Sequence, residues 1–150
     1  MSDLVRVAVD AMGGDYAPVE PVKGAVEAVN ADERVKVQLV GQVDVIEKEL
    51  QKYTYPKERV EIVPATEIIE TGEPPVNAIR HKKDSSIVVG MKKVRYGEAD
   101  AFVSSGSTGA VLVGGQTIVG RIKGVERPPL APLIPTKDGV SPVSYTHLRA

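Results

Sequence analysis

The chain has 150 residues, of which 42% are hydrophobic and 26% charged, with a formal net charge of −1 at pH 7. A chain of that length can bury about 68–70% of the surface its unfolded form exposes, so one domain with its own core is expected. Cysteine is absent, which removes disulfides, cysteine-ligated metal and a cysteine acyl-enzyme, and no apolar run approaches the roughly 18 residues that span a bilayer.

Ser2-Asp3 leads directly into Val5-Arg6-Val7-Ala8-Val9, which reads as a first strand with no signal peptide before it, so the cytoplasm is the simplest compartment. The strand runs into Asp10-Ala11-Met12-Gly13-Gly14-Asp15, a glycine pair bracketed by carboxylates. Open α/β sheets bind ligands at such strand ends, because backbone comes close to a ligand only where no Cβ intervenes. Pro18 and Pro21 can start a helix whose Val22, Ala25, Val26 and Val29 form one buried stripe. Val35 to Val40 reads as a second strand closed by Gly41, and Val43, Ile46 and Leu50 mark a short amphipathic helix. Val60 to Val63 is a brief third strand stopped by Pro64.

Ala65 to Asn77, with Gly72, Pro74 and Pro75, reads as a long excursion, and loops of that length in compact domains are usually lids or flexible segments. A basic helix follows, with Ile87, Met91 and Val94 at helical spacing. Ala99 to Val103 is a fourth strand, the serine-glycine run Ser104-Ser105-Gly106-Ser107-Thr108-Gly109 a second turn, and about Ala110 to Ile122 a helix. Ala131 to Pro135 begins a further strand, and Asp138-Gly139 looks like a turn. Repeated strand, turn, helix order predicts an α/β fold: a mostly parallel, doubly wound sheet with helices on both faces, a truncated three-layer sandwich. Residues 1–140 are assigned to that domain. Residues 141–150 show neither a strand period nor a helix face and read as a non-native tail, which sets His147 aside.

Charge is uneven along the chain, with 8 Lys and Arg against 15 Asp and Glu in residues 1–79 and 11 against 5 in residues 80–150. The excess includes Arg80, Lys82, Lys83, Lys92, Lys93 and Arg95, which suit either a solvated helix face or a phosphate or acidic partner. In the serine-glycine run the hydroxyls of Ser104, Ser105, Ser107 and Thr108, with Gly106 and Gly109 freeing the backbone, lie before a helix whose unpaired N–H groups favour an anion. The alternative for such a serine is an N-cap. Gly115 to Gly120 has P-loop glycine spacing but continues Arg121-Ile122 inside an apolar helix, and neither a dinucleotide fingerprint nor a nucleophile elbow is present. His81 is the one imidazole outside the tail, kept neutral by its cationic neighbours as a general base or else an exposed bystander. Asp10 and Asp15 can orient a nucleophile or bind a cation, and Asp15 can equally cap the next helix.

Together these residues resemble the phosphate acyltransferase family of bacterial phospholipid synthesis. The opening motif Asp10 to Asp15 with Ala17-Pro18, then Arg80 with Lys82-Lys83 and Ser85-Ser86, the serine-glycine turn, and Gly120-Arg121-Ile122-Lys123-Gly124 running into Arg127-Pro128 and Leu130-Ala131-Pro132 match in order across residues 5–138. The turn departs from the family's Ser-Ala-Gly-Asn-Thr-Gly-Ala at Ser105 and Ser107, and Asn77 and His81 stand where the family more often has arginines. The resemblance implies an N-terminal fragment of an enzyme that makes acyl-phosphate from acyl-carrier protein and inorganic phosphate. A phosphate acyltransferase acting on acyl-CoA, or an inactive fragment that only binds, are the alternatives. It implies Asp10, His81 and Ser107 in catalysis, and Gly13, Gly14, Asp15, Arg80, Lys82, Lys83, Ser104, Gly106, Thr108 and Gly109 around the phosphate and thioester. No metal, cofactor or nucleic acid is implied. A homodimer in the full-length protein is, with a cytoplasmic place that allows peripheral contact with a membrane acyltransferase at the inner face of the cell membrane.

Overall fold

Strand β1 (Val5–Asp10) alternates its side chains between two sheet faces, burying Ala8 and Asp10 on one and leaving Val5, Val7 and Val9 partly exposed on the other. The computed structural model describes residues 4–126, 128, 133–137 and 139–142. They form two units, one up to Val119 and one from Gly120 onward.

In the first unit β1 pairs in parallel with β2 (Val35–Gly41) on one side and with β4 (Ala101–Val103) on the other. Strand β3 (Val60–Pro64) lies parallel outside β2, giving the order β3-β2-β1-β4. Parallel neighbours need crossover connections. Helices α1 (Val19–Ala31) and α2 (Val43–Leu50) cover one face, where Val22, Ala25, Val26 and Val29 pack with Val37, Leu39, Ile46 and Leu50. The expected stripe of α1 is thus the one buried. On the other face Ala8, Val40 and Val63 meet Val89 and Val94 of α4 (Ser86–Arg95) and Phe102. A third cluster, including Ile79, Ile87, Met91 and Ala110, joins α4 to α3 (Pro75–His81) and α5 (Thr108–Gly114). The doubly wound α/β reading therefore holds. Strands β2 and β3 step away from β1 in one direction and β4 lies in the other, so the winding reverses between β1 and β4. Open sheets leave a crevice at that point, outside the carboxyl ends of the strands.

Several boundaries differ from expectation. The excursion after β3 is tied down: the Ala65 N–H donates to the Gly41 carbonyl at 2.9 Å, Thr66 and Glu67 bond the Asp84 carbonyl, and Ile69 is buried. Its backbone groups have partners, which a flexible lid lacks. The basic segment splits into α3 and α4, because the Ser85 hydroxyl accepts from the Val88 N–H at 3.3 Å and restarts the helix. The helix after the serine-glycine turn begins at Thr108 and widens into a π turn over Gly115–Val119. It stops before Ile122, since Gly120 has φ of 101°.

In the second unit β5 (Leu133–Thr136) pairs antiparallel with β6 (Gly139–Pro142). Ser141 and Pro142, expected to lie outside any element, belong to its second strand, and Asp138 of the expected turn lies outside the described residues. His147 and the rest of the expected tail lie outside the described residues.

Candidate functional site

At the end of β1 the Asp10 carboxylate is 1% exposed and joins the two glycine turns. Its Oδ1 accepts from the Met12 N–H at 3.1 Å, and its Oδ2 accepts from the Ser104 hydroxyl at 2.7 Å. Ser104 Oγ in turn accepts from the Gly106 N–H at 3.0 Å. A buried carboxylate is costly unless its oxygens have partners, and here both do. A Cβ on Gly13 would collide with Asp10 Oδ2 and come within 2.8 Å of the Gly106 nitrogen. One on Gly14 would lie 3.1 Å from Ser105 Cβ, and Gly14 also has φ of 101°, which only glycine adopts freely. The turns after β1 and β4 are in contact because neither carries a side chain where they meet.

The crevice beside them is a cavity of about 590 Å³, within the usual size range of small-molecule sites. Its lining combines Asp10, Gly13, Gly14, Asp15, Ser104 and Ser105 of the two turns with Glu20 and with apolar residues of β1, β2, β4 and α1. The expected site residues divide into three groups. Asp10, Gly13, Gly14, Asp15 and Ser104 line the cavity, with Gly106 against Gly13. Ser107, Thr108 and Gly109 begin α5, where the buried Ser107 hydroxyl accepts from the Ala110 N–H at 3.3 Å, as an N-cap does, and Thr108 is exposed. Asp15 is exposed and does not cap α1, whose N-cap is Pro18 with no side-chain hydrogen bond.

The third group lies on the last turn of α3 and just after it, outside the cavity lining. Arg80 and His81 are exposed there, and Lys83 Nζ donates to the Ile79 carbonyl at 3.1 Å. Lys82 Nζ donates to the Ile68 carbonyl at 2.6 Å and pairs with Glu73, whose carboxyl it holds below the ordinary range with help from the Glu70 N–H. That cation serves the loop. On α4, Arg95 donates to the Val119 carbonyl at 3.2 Å and Lys93 pairs with Glu98 at 2.6 Å, which leaves Lys92, bonded at 3.4 Å to the Lys83 carbonyl, the loosest of these three. Sequence reasoning did not single out the apolar lining of the cavity, although the alternate valines of β1 and β2 that belong to it are its signal. Among the described residues no three of His, Cys, Asp and Glu gather as a metal-ligand set, and no helix is long and apolar enough to cross a membrane.

The sequence model of the family described as fatty acid synthesis protein matches residues 5–144. The chain belongs to that family. Among curated proteins it is 51% identical over 138 residues to the phosphate acyltransferase of Alkaliphilus oremlandii, covering 91% of this chain and 41% of that protein. It is 50% identical over 135 residues to the phosphate acyltransferase of Clostridium beijerinckii, covering 90% and 40%. This family member thus spans about two fifths of the length of the curated relatives it matches. Among solved structures a phosphotransacetylase from Streptococcus pyogenes superposes with a TM-score of 0.62 at 15% identity, over 90% of this chain and 44% of that one. That likeness supports the α/β fold.

Proposed function

We propose that the two joined glycine turns hold inorganic phosphate against the thioester of an acyl-carrier protein, in a phosphate acyltransferase that supplies acyl-phosphate to phospholipid synthesis. The observation that carries this reading is the hydrogen bond of Ser104 to the buried Asp10, which joins the two turns where the sheet's winding reverses and leaves no room for a side chain on Gly13 beside Gly106. A phosphate oxygen forms a bond to the acyl carbonyl carbon, the carbon–sulfur bond breaks, and the thiolate leaves with the electron pair and takes up a proton. No protein nucleophile is needed, so catalysis rests on positioning and on N–H groups facing the developing oxyanion.

In this scheme Asp10 is a positioning residue: its oxygens are spent on Met12 and Ser104, which keeps the turns together. Ser107 acts through the helix it caps, while Thr108 and the backbone around Gly13, Gly14, Gly106 and Gly109 face substrate. Arg80, with Lys92 and its neighbours, supplies positive charge for an acidic carrier protein, and His81 and Lys83 stand beside them. The full-length enzyme is assigned a cytoplasmic homodimer with peripheral contact to a membrane acyltransferase.

Titration of the 150-residue chain with inorganic phosphate tests the anion half, with saturable shifts expected in the amide resonances of Gly13, Gly14 and Gly106 and none in those of α2. Acyl-phosphate trapped as hydroxamate tests the rest. The longer relatives are expected to turn over acyl-carrier protein in preference to acyl-CoA, and this chain alone to turn over neither. Absence of the amide shifts, or preference for acyl-CoA, would overturn the corresponding half.

A further inference from the structure

Lys82 follows the last residue of α3, and its ammonium reaches back to the segment that leads into the same helix. There it donates to the Ile68 carbonyl at 2.6 Å and pairs with Glu73, whose Oε1 also accepts from the Glu70 N–H at 2.8 Å. Exposed ion pairs contribute little, but the side chains of Lys82 and Glu73 keep only 30% and 28% of their exposure, and each carries a backbone bond as well. The clamp therefore fixes the path of residues 68–73, just before Pro74 and Pro75 begin α3.

Pro75 is in turn the residue that meets the serine-glycine turn. A Cβ on Gly109 would come within 2.5 Å of Pro75 Cγ, and one on Gly114 would lie 3.4 Å from Ile79 Cδ1. Helix α5 thus lies against α3 with no side chain of its own between them at either point. In packing this close, a shift of one element is passed to the other. At the other end of the same turn Gly106 abuts Gly13, so the turn is held between α3 and the glycine pair after β1.

We infer that Lys82 and Glu73 are positioning residues for the phosphate site: their pairing sets where Pro75 stands, and Pro75 sets where Thr108 and Gly109 stand relative to Gly13. The ligand in this inference rests on the proposed function, whereas the clamp and the Pro75 contact do not. The resemblance implies Lys82 as a direct phosphate contact, and the two roles predict opposite signs. For an ammonium that touches phosphate, neutralising its carboxylate partner strengthens binding, because a negative charge is removed and the cation is freed. For one half of a clamp, loss of the partner weakens binding.

The test is titration of the 150-residue chain with inorganic phosphate, followed at the amides of Gly13, Gly106, Thr108 and Gly109. Glu73→Gln and Lys82→Met are each expected to weaken phosphate by about three- to tenfold, as substitutions acting through intervening structure do. The double variant is expected to bind no more weakly than either single one, since the same clamp is lost only once. Lys82→Arg, which can keep both bonds, is expected to bind as the parent does. Before phosphate is added, the Thr108 and Gly109 amides are expected to move in both single variants while those of α2 stay. Tighter phosphate in Glu73→Gln, or unmoved Thr108 and Gly109 amides, would overturn the inference. So would a lowered thermal midpoint with phosphate affinity unchanged, which is what a purely structural pair gives. Should Lys82→Met not fold, the sign in Glu73→Gln decides alone. A parent chain that ignores phosphate, with the Thr108 and Gly109 amides still moving in the variants, would sink the anion site and sustain the clamp.

Discussion

A methyl group added at Gly13 has nowhere to go, because the Asp10 carboxylate fills one side and the Gly106 nitrogen lies 2.8 Å away on the other. Neither neighbour is the free end of a flexible side chain, so Gly13→Ala must separate the two turns. We expect a loss of about 1–3 kcal/mol in urea unfolding, typical of overpacking, together with loss of the phosphate-induced shift at Gly106. Gly115→Ala, where a Cβ meets nothing within 4 Å, is the control and is expected to cause no loss of stability. Ser107 separates a structural from a chemical role. Its buried hydroxyl caps α5, so Ser107→Ala is expected to cost about 0.5–2 kcal/mol, whereas Ser107→Asn, whose side-chain oxygen can also cap, keeps most of that stability.

Gly24 in α1 and Gly90 in α4 make opposite predictions for their elements. Gly24 lies on the exposed side of α1 with open space where a side chain would be, so Gly24→Ala is expected to stabilise by about 0.5–1 kcal/mol through helix propensity. Gly90 lies where α4 rests on the sheet, and its Cβ would come within 2.7 Å of Phe102 Cδ2, so Gly90→Ala is expected to destabilise by about 1–3 kcal/mol. Urea midpoints of the two variants read the contrast directly. Spacing alone made α1 legible, since Val22, Ala25, Val26 and Val29 recur on one face and that face is the buried one. It could not distinguish Gly24 from Gly90, because the difference lies in what another element places opposite. The same limit explains Lys82: its charge is visible in the sequence, but its pairing with Glu73 depends on a loop whose path is set by hydrogen bonds to Asp84. The meeting of the glycine turns was legible only through the resemblance, which implied Gly13, Gly14, Ser104 and Gly106 around one ligand; the order that sets β4 beside β1 was not read from the sequence. The cavity's apolar lining was not legible, because it depends on how far α1 stands from the valines.

Across the first unit, carboxylates hold together segments far apart in sequence, and each does so only when ionised. Asp100 accepts from the Arg6 backbone at 2.8 Å and pairs with its guanidinium at 2.9 Å, tying the start of β1 to the approach to β4. Asp84 accepts from the Thr66 hydroxyl at 2.6 Å and its N–H at 3.0 Å, fastening the segment after β3. The Thr66 bonds lower the Asp84 carboxyl, and the Arg6 bonds lower Asp100. The Arg34 guanidinium and N–H bring Asp32 down to about 2. A carboxyl whose folded pKa is depressed binds fewer protons folded than unfolded, so its contribution is complete above the unfolded value near 4 and is lost as pH falls through the folded one. Thermal midpoints are therefore expected to hold steady from neutral pH to about pH 5 and then to fall continuously toward pH 2. Salt divides the causes. At about 1 M, where the Debye length is about 3 Å, the exposed pairs of Asp32 and Asp100 with arginine are screened, while the hydrogen bonds of Asp84 to the uncharged Thr66 are not. Asp84→Asn should thus remove a share of the acid slope that salt leaves intact, and Asp100→Asn a share that salt has already reduced to its bond with the Arg6 N–H. If both substitutions change the high-salt slope equally, the segment after β3 is held by charge rather than by the Thr66 bonds, and the account of how it is fastened fails.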